Sequence, residues 1–396
     1  MKARPFASES GFSLAEMLVS TVIMMIVVGS LFSVLNPAQG TFQAQPEVSD
    51  MQQRLRVAVD ALNKDLVMAG AGTYSGAAAG ALSNFFAPIL PYRVGLTGSD
   101  PPGSFRSDAI TLLYVPQTAS QTTISDPMPS TSNEIKVNAE PQCPQNEQLC
   151  GFSEGMSLII FDDSGAWNTF VITNVQDNAG HLQRHGPDFA KSYDGGAWVT
   201  QIASHTYYLR SDDATQTYQL MHYDGGSVDA PVADNVVGLG FQYFGDPQPP
   251  VMRKAPTEAP GPWTTYGPRP PALGVNQGNG YGDGENCVFV APAGQPLQQP
   301  RLADLSPGST GLVPLTAAML TDGPWCPGAA SPARFDADLL RIRQVRVTIR
   351  VQANLKMLRG TGSLFAKPGT ARGGELYVPD QELRFDVAPR NMNLGR

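Results

Sequence analysis

The chain has 396 residues, of which 42% are hydrophobic and 16% charged, with 40 glycines and 34 prolines. That is enough apolar material for a sizeable core and excludes global disorder, and the length sets an expectation of two or three domains. Lys and Arg number 27 against 35 Asp and Glu, a net charge of −8, which argues against a dedicated nucleic-acid binder; a mean hydropathy of −0.16 excludes a polytopic membrane protein but leaves room for one span.

The first predicted element is that span. Phe12–Leu35 is a predominantly apolar run of 24 residues with a single charge, Glu16. As a helix it is roughly 36 Å long, enough to cross a hydrocarbon core of ~30 Å. Lys2 and Arg4 precede it, so the positive-inside bias keeps the N-terminus in the cytoplasm and the remainder outside. A cleaved secretory signal has a shorter apolar core and a small-residue cleavage site behind it; here the run is too long and Asn36-Pro37-Ala38-Gln39-Gly40 is a poor site. A buried core helix is seldom this long and apolar all round. A plain signal anchor fits the length but gives Glu16 no purpose. A carboxylate near the centre of a membrane helix costs on the order of 2.5–3.5 kcal/mol, less toward the interface, and such a residue is a functional candidate by default.

The residues around it, Gly11-Phe12-Ser13-Leu14-Ala15-Glu16, resemble the class III signal of type IV prepilins and related pseudopilins. The resemblance implies a leader peptide of residues 1–11, cut between Gly11 and Phe12 by a membrane-embedded prepilin peptidase that also N-methylates Phe12. It implies that the helix 12–35 stays attached, holds the protein in the inner membrane and later enters a filament core. Glu16 would neutralise the amino group of a neighbouring subunit's first residue. Two desolvated opposite charges fix axial register better than apolar packing alone.

Asn36, Pro37, Gly40 and Pro46 interrupt the helical pattern, and a proline inside a helix costs about 3 kcal/mol, so a kink or break is expected before the helix resumes near Glu47. Val48, Met51, Leu55, Val59, Leu62, Leu66 and Ala69 follow at helical spacing on one face. Gly70 is a plausible stop, giving a kinked amphipathic continuation over 36–70. The words after the span (Gln53, Arg54, then Asp65, Leu66, Ala69 and Gly70) resemble the same stretch of PilW-type minor pilins.

From residue 71 the pattern turns to period 2. Strands are expected at Ala109–Val115, Met156–Phe161, Thr169–Val175, Ser204–Arg210, Tyr218–Tyr223, Val236–Phe244, Val345–Ala353 and Glu382–Val387. The turns Asp163-Ser164-Gly165 and Asp224-Gly225-Gly226 lie between strands that read as hairpin partners. The fold class is therefore α+β and pilin-like: a long N-terminal helix, then an antiparallel β-rich head over 71–396, in one domain, with long inserted loops. The resemblance to minor-pilin and J-type pseudopilin heads extends weakly to Tyr207-Tyr208-Leu209, 236–244, Ile342-x-x-Val345-x-Val347 and Arg390-Asn391. The inserts are Tyr74–Gly103 and Gly245–Pro300; the second holds 12 prolines and nine glycines. Long loops of this kind are either functional or disordered.

Cys143, Cys150, Cys287 and Cys326 all follow the span, in an oxidising compartment, and read as disulfides. Sequential pairing is the simplest of three connectivities. A zinc site of cysteines would need closer spacing. His181 and His185 are spaced i, i+4 but flanked by glycine and proline, which makes them a surface pair. Residues 278–285 (Gly-Asn-Gly-Tyr-Gly-Asp-Gly-Glu) carry oxygen ligands without the order of a calcium loop, so no metal or cofactor is assigned. No residues stand out as catalytic, and a non-enzyme is expected. Arg341, Arg343, Arg346 and Arg350 form the one basic cluster. They read as the solvated face of a strand and its preceding turn, or as a contact for an anion such as DNA or lipid headgroups.

Three functions follow as expectations. The first is a minor pilin of the PilW type that primes assembly or sits at the filament tip. Its partners would be prepilin peptidase, other minor and major pilins, the inner-membrane assembly platform and the lipid bilayer. The head would lie in the periplasm and then on the pilus or cell surface, serving motility, adhesion or DNA uptake. The second is a minor pseudopilin of a type II secretion system. The third is a binding role, with the insert 245–300 as an adhesin or DNA-capturing surface.

Overall fold

The structure, a computed structural model, describes residues 11–72, 81–117, 119–258, 262–372 and 377–393; for 34–41 it describes the backbone alone. The leader apart from Gly11, residues 74–80 of the first insert and 259–261 of the second lie outside the described residues.

One helix, α1 (Leu14–Met68), opens the described chain. Its segment Leu14–Ser33 is long and apolar enough to cross a membrane and is uncovered on every side; Leu14 and Met25 are 83% and 72% exposed. The break expected between Asn36 and Pro46 is absent, since the helix runs through both prolines. A helical proline forfeits one bond to the carbonyl four residues back. Here those carbonyls belong to Ser33 and Phe42, both exposed residues, so neither is sealed inside the described chain. Met51, Leu55, Leu62, Leu66 and Ala69 are buried as the stripe requires, and Ala58 takes the place expected of Val59.

The chain divides into two compact units, the described parts of Met1–Gln53 with Gln352–Gln381, and of Arg54–Val351 with Glu382–Arg396. The boundary expected at 70/71 falls inside the second unit. There the end of α1 is bonded to a strand: Gly70 N–H donates to Leu113 O at 3.0 Å and Val115 N–H to Ala71 O at 2.9 Å. Within the first unit the Glu47 carboxylate accepts the Asn354 N–H at 2.7 Å.

Strands among the described residues follow in chain order as β1 (Ile89–Leu90), β2 (Ala109–Tyr114), β3 (Gln121–Thr123), β4 (Glu134–Lys136), β5 (Ser157–Phe161) and β6 (Trp167–Gln176). Next come β7 (His181–Arg184), β8 (Trp198–Gln201), β9 (Ala203–Asp212), β10 (Thr217–Tyr223), β11 (Asp229–Asp234) and β12 (Val236–Gly245). The last are β13 (Phe289–Val290), β14 (Gln299–Pro300), β15 (Val313–Leu315), β16 (Trp325–Cys326), β17 (Phe335–Asp336), β18 (Ile342–Val351) and β19 (Gln381–Val387). All eight expected strands are present, as β2, β5, β6, β9, β10, β12, β18 and β19.

Three larger sheets result. The first is antiparallel in the order β1-β2-β9-β10-β11. The second, β3-β8-β5-β6-β7-β4, is built entirely from the chain between the paired neighbours β2 and β9. A bridge between Ile124 and Val137 joins the ends of that order, so the sheet closes on itself and hides its edges. Leu158, Ile160, Phe170, Ile172, Leu182 and Val199 fill it. The third runs β15-β12-β18-β19. In β18 Val345, Val347, Ile349 and Val351 are buried and alternate with half-buried Arg346, Thr348 and Arg350, as their period predicts.

Three expectations need correction. The Asp224-Gly225-Gly226 turn leads from β10 into β11, with Tyr223 opposite Asp229, and β12 pairs with β18 instead, Phe241 opposite Val347. Part of Tyr74–Gly103 is core, not surface loop: most of 82–92 is buried, while 96–99 are exposed as expected. Phe85 and Phe86 are fully buried, with Phe85 4.8 Å from the Trp198 ring and Phe86 5.5 Å from that of Phe161. The arginine cluster is divided: Arg341 and Arg343 are 0% and 3% exposed, neither solvated nor open to an anion. Arg341 donates through Nη1 to the carbonyls of Asp246, Pro247 and Gln248 at 3.3, 3.1 and 3.2 Å, through Nη2 to Ala303 O at 2.6 Å, and pairs with Asp338. Arg343 pairs with Asp246 at 2.7 Å. The start of the insert 245–300 is thereby fastened to the turn before β18.

Replacing Arg341 by alanine strands a carboxylate and several carbonyls in the interior. The expected loss is ~3–5 kcal/mol, read from urea unfolding of the full chain in detergent micelles. Arg346→Ala, which breaks an exposed pair with Asp386, leaves the midpoint nearly unchanged.

Candidate functional site

Two places carry chemistry that apolar packing does not explain. The first is the start of α1. Ser13 N–H donates to Glu16 Oε2 at 2.9 Å and Glu16 N–H to Ser13 Oγ at 3.2 Å. This reciprocal pair is a capping box, which satisfies two of the donors a helix start leaves open. Ser-x-x-Glu ahead of an apolar run is its sequence signature, and the reading of Glu16 as a register charge passed over it. Oε1 of Glu16 has no partner among the described residues. Phe12 is 89% exposed, and a Cβ on Gly11 would meet nothing within 4 Å among the described residues. A cut between Gly11 and Phe12 would leave the cap intact.

The other sequence candidates take structural places. Cys143 is bonded to Cys150 and Cys287 to Cys326, the second pair linking the insert to β16. His181, on β7, pairs with Glu134 at 3.0 Å. In residues 278–285 the oxygens are engaged within the chain: Asp283 accepts from Asn276 at 2.9 Å, and Glu285 accepts from Arg301 at 2.7 Å and from Ala291 N–H at 3.1 Å. Asp322, Asp336 and Asp338 lie close together. Asp336 accepts the Gly323 and Asp338 N–H groups at 2.6 and 2.9 Å, and burial pushes its carboxyl up to about 7.

The second place was not read from the sequence. Asp65 sits on α1 beside Leu62 and Leu66 and is only 4% exposed. On β9, His205 and Tyr207 share one face by the two-residue period, and the register sets His222 of β10 opposite Tyr207. Tyr207 OH donates to Asp65 Oδ2 at 2.6 Å, and Tyr114 OH, from β2, to Asp65 Oδ1 at 3.2 Å. His205 Nε2 is 3.1 Å from Tyr114 OH, and its Nδ1 is 2.7 Å from His222 Nε2 and 3.6 Å from Asp65 Oδ2. The Tyr114 and His205 rings stack at 5.4 Å, those of His205 and His222 at 4.9 Å.

Burial holds both imidazoles below their ordinary 6.5 and outweighs the pull of Asp65 and Asp224, joined at His222 by Asp229; at His205 the charges of His222 and Lys64 push the same way as burial. Burial, then Asp65, raises the Tyr207 and Tyr114 hydroxyls, so both remain donors. The arrangement is a buried carboxylate held by two phenols beside two neutral imidazoles.

Compared with protein-family models, with curated proteins and with solved structures, the chain matches none.

Because both histidines resist protonation only when folded, the unfolded chain binds more protons just below pH 6.5. The share of stability they contribute is complete above that pH and is lost as the pH falls through their lowered folded values. Asp336, raised by burial, acts in the opposite sense, so the test is a difference. Urea midpoints of the wild type should fall relative to those of His205→Gln/His222→Gln as the pH is lowered from 7.5 to 5.

Proposed function

We propose that the protein is a prepilin-like subunit, a minor pilin of the PilW type. One span would hold it in the inner membrane, with the N-terminus in the cytoplasm and the head in the periplasm. Prepilin peptidase would cut after Gly11 and methylate Phe12. The subunit would then join other minor and major pilins at the assembly platform, to start a filament or stand at its tip.

The observation that supports this is the apolar, uncovered helix Leu14–Ser33, directly behind Gly11-Phe12 and opened by Glu16. Most single spans need no carboxylate at their start. In this reading Glu16 serves twice: one oxygen caps its own helix while the other accepts the terminal amine of the next subunit. Cleavage ahead of the span leaves a product that can pass from bilayer to filament, where neighbouring helices replace lipid as its cover. The insert 245–300 is fastened by Arg341 and by Cys287–Cys326, which favours a scaffold role for it over a detachable binding surface. The same N-terminus would serve a minor pseudopilin, and the deletion phenotype separates the two. Loss of twitching or transformation marks the pilus system, and retention of exoproteins in the periplasm marks secretion.

A Cβ added at Gly11 meets no atom among the described residues, so a processing defect in Gly11→Val would report the peptidase rather than the fold. The expected result is an uncleaved precursor in the membrane fraction by intact-mass measurement; a mature-length product would refute the prepilin reading. Glu16→Gln keeps the cap, since glutamine serves at that position equally well, but removes the charge. It should be cleaved normally and fail to enter filaments in a pull-down of sheared filaments. Wild-type incorporation would reduce Glu16 to a cap alone.

A further inference from the structure

We propose that His205, His222 and Asp65 bind a divalent transition-metal cation of the zinc class, clamping the end of α1 to the β9–β10 hairpin. The three groups offer ligand atoms that all lie within 4.8 Å of one another. His205 Nδ1 is 2.7 Å from His222 Nε2 and 3.6 Å from Asp65 Oδ2. Zinc binds imidazole nitrogen at about 2.0–2.1 Å and carboxylate oxygen at about 2.0–2.2 Å, so tetrahedral ligands lie roughly 3.3–3.5 Å apart. For these two pairs, the imidazole nitrogens need to part by about 0.6 Å and the carboxylate to close on His205 by a few tenths of an ångström to enclose an ion.

The donor set selects the metal. Two imidazoles and one carboxylate suit zinc, cobalt, nickel or copper, whereas calcium and magnesium require oxygen ligands. Each imidazole can offer one ring nitrogen to an ion once the proton at the His205 Nδ1 to His222 Nε2 contact moves to the other nitrogen of its ring. The surroundings are those of a supported site. With Nδ1 of His205 on the metal, Nε2 carries the proton and donates to Tyr114 OH, which in turn donates to Asp65 Oδ1. Tyr207 OH orients the other carboxylate oxygen. Hydrogen bonds of this kind fix the tautomer and ring orientation of a ligating histidine. His205 and His222 are half-buried, so the ion can enter from solvent and a fourth position stays open to water.

The chain has four histidines, which makes the assignment testable. Full-length protein in detergent micelles, stripped with chelator, is titrated with Zn²⁺ by calorimetry and with Co²⁺ by visible spectroscopy. One ion per chain is expected, with tetrahedral Co²⁺ bands and a rise in melting temperature. Affinity should fall at least tenfold in His205→Ala and in His222→Ala and hold in His181→Ala and His185→Ala. Asp65 also anchors two tyrosines, so the histidine variants, checked for native circular dichroism, carry the test; His222→Gln serves if His222→Ala is misfolded. Wild-type uptake no greater than that of the double variant His205→Ala/His222→Ala would overturn the site. So would binding that depends on His181 or His185.

Discussion

A helix that is apolar on every side cannot rest in water, and α1 begins as such a helix. Each Val, Leu, Ile, Phe or Met left exposed forgoes about 1.5–3 kcal/mol of burial, and Leu14–Ser33 exposes such residues on all faces. No described part of the chain covers them. Whatever covers them lies outside the described residues. The same helix from Leu55 to Ala69 turns one apolar face inward and the rest to solvent, as a helix in a self-sufficient domain does. One element thus carries two kinds of surface, apolar all round and then apolar on one face.

The head closes its own accounts in two ways. The second sheet curls until Ile124 meets Val137, leaving no open pair of edges. The Pro-rich insert poses a different problem, because prolines contribute carbonyls to the interior without matching N–H donors. Arg341 supplies the missing donors. Its guanidinium takes the carbonyls of Asp246, Pro247 and Gln248, which explains why a cation is buried completely inside a segment that reads as loop.

Much of the fold was legible because periodicity is local. The buried face of β18 followed from Val345, Val347, Ile349 and Val351, and the helical stripe from Leu55, Leu62 and Leu66. What escaped was long-range or hidden by composition. β11 has a proline at its centre, Pro231, which argued against a strand although a proline is tolerated at the edge of a sheet. The closed sheet 121–201 was not recognised as a unit, because short strands such as β3 and β4 carry too few residues to show a period. Arg341 and Arg343 looked like surface charges because charge is the usual mark of solvent. The Asp65–His205–His222 group was invisible for a similar reason. Asp65 appeared as a polar residue beside an apolar stripe, and the histidines are 17 residues apart, joined by a hairpin whose turn, Asp213 to Gln216, lacks an Asn-Gly signal to fix the register.

By itself the sequence determined the elements whose cause lies within a few residues. These are the uncovered span, its start at Gly11–Glu16, the inward face of the second helix half, and most of the long strands. It also supplied the four cysteines that pair in sequential order. Only the tertiary structure decided which strands meet, that Arg341 is a core residue, and that a buried carboxylate on α1, two buried tyrosines and two half-buried histidines form one cluster. The physical reason is that hydrophobic period is written into neighbouring residues, whereas strand register and polar satisfaction are set by backbone groups far apart in the chain that must find partners once water is excluded.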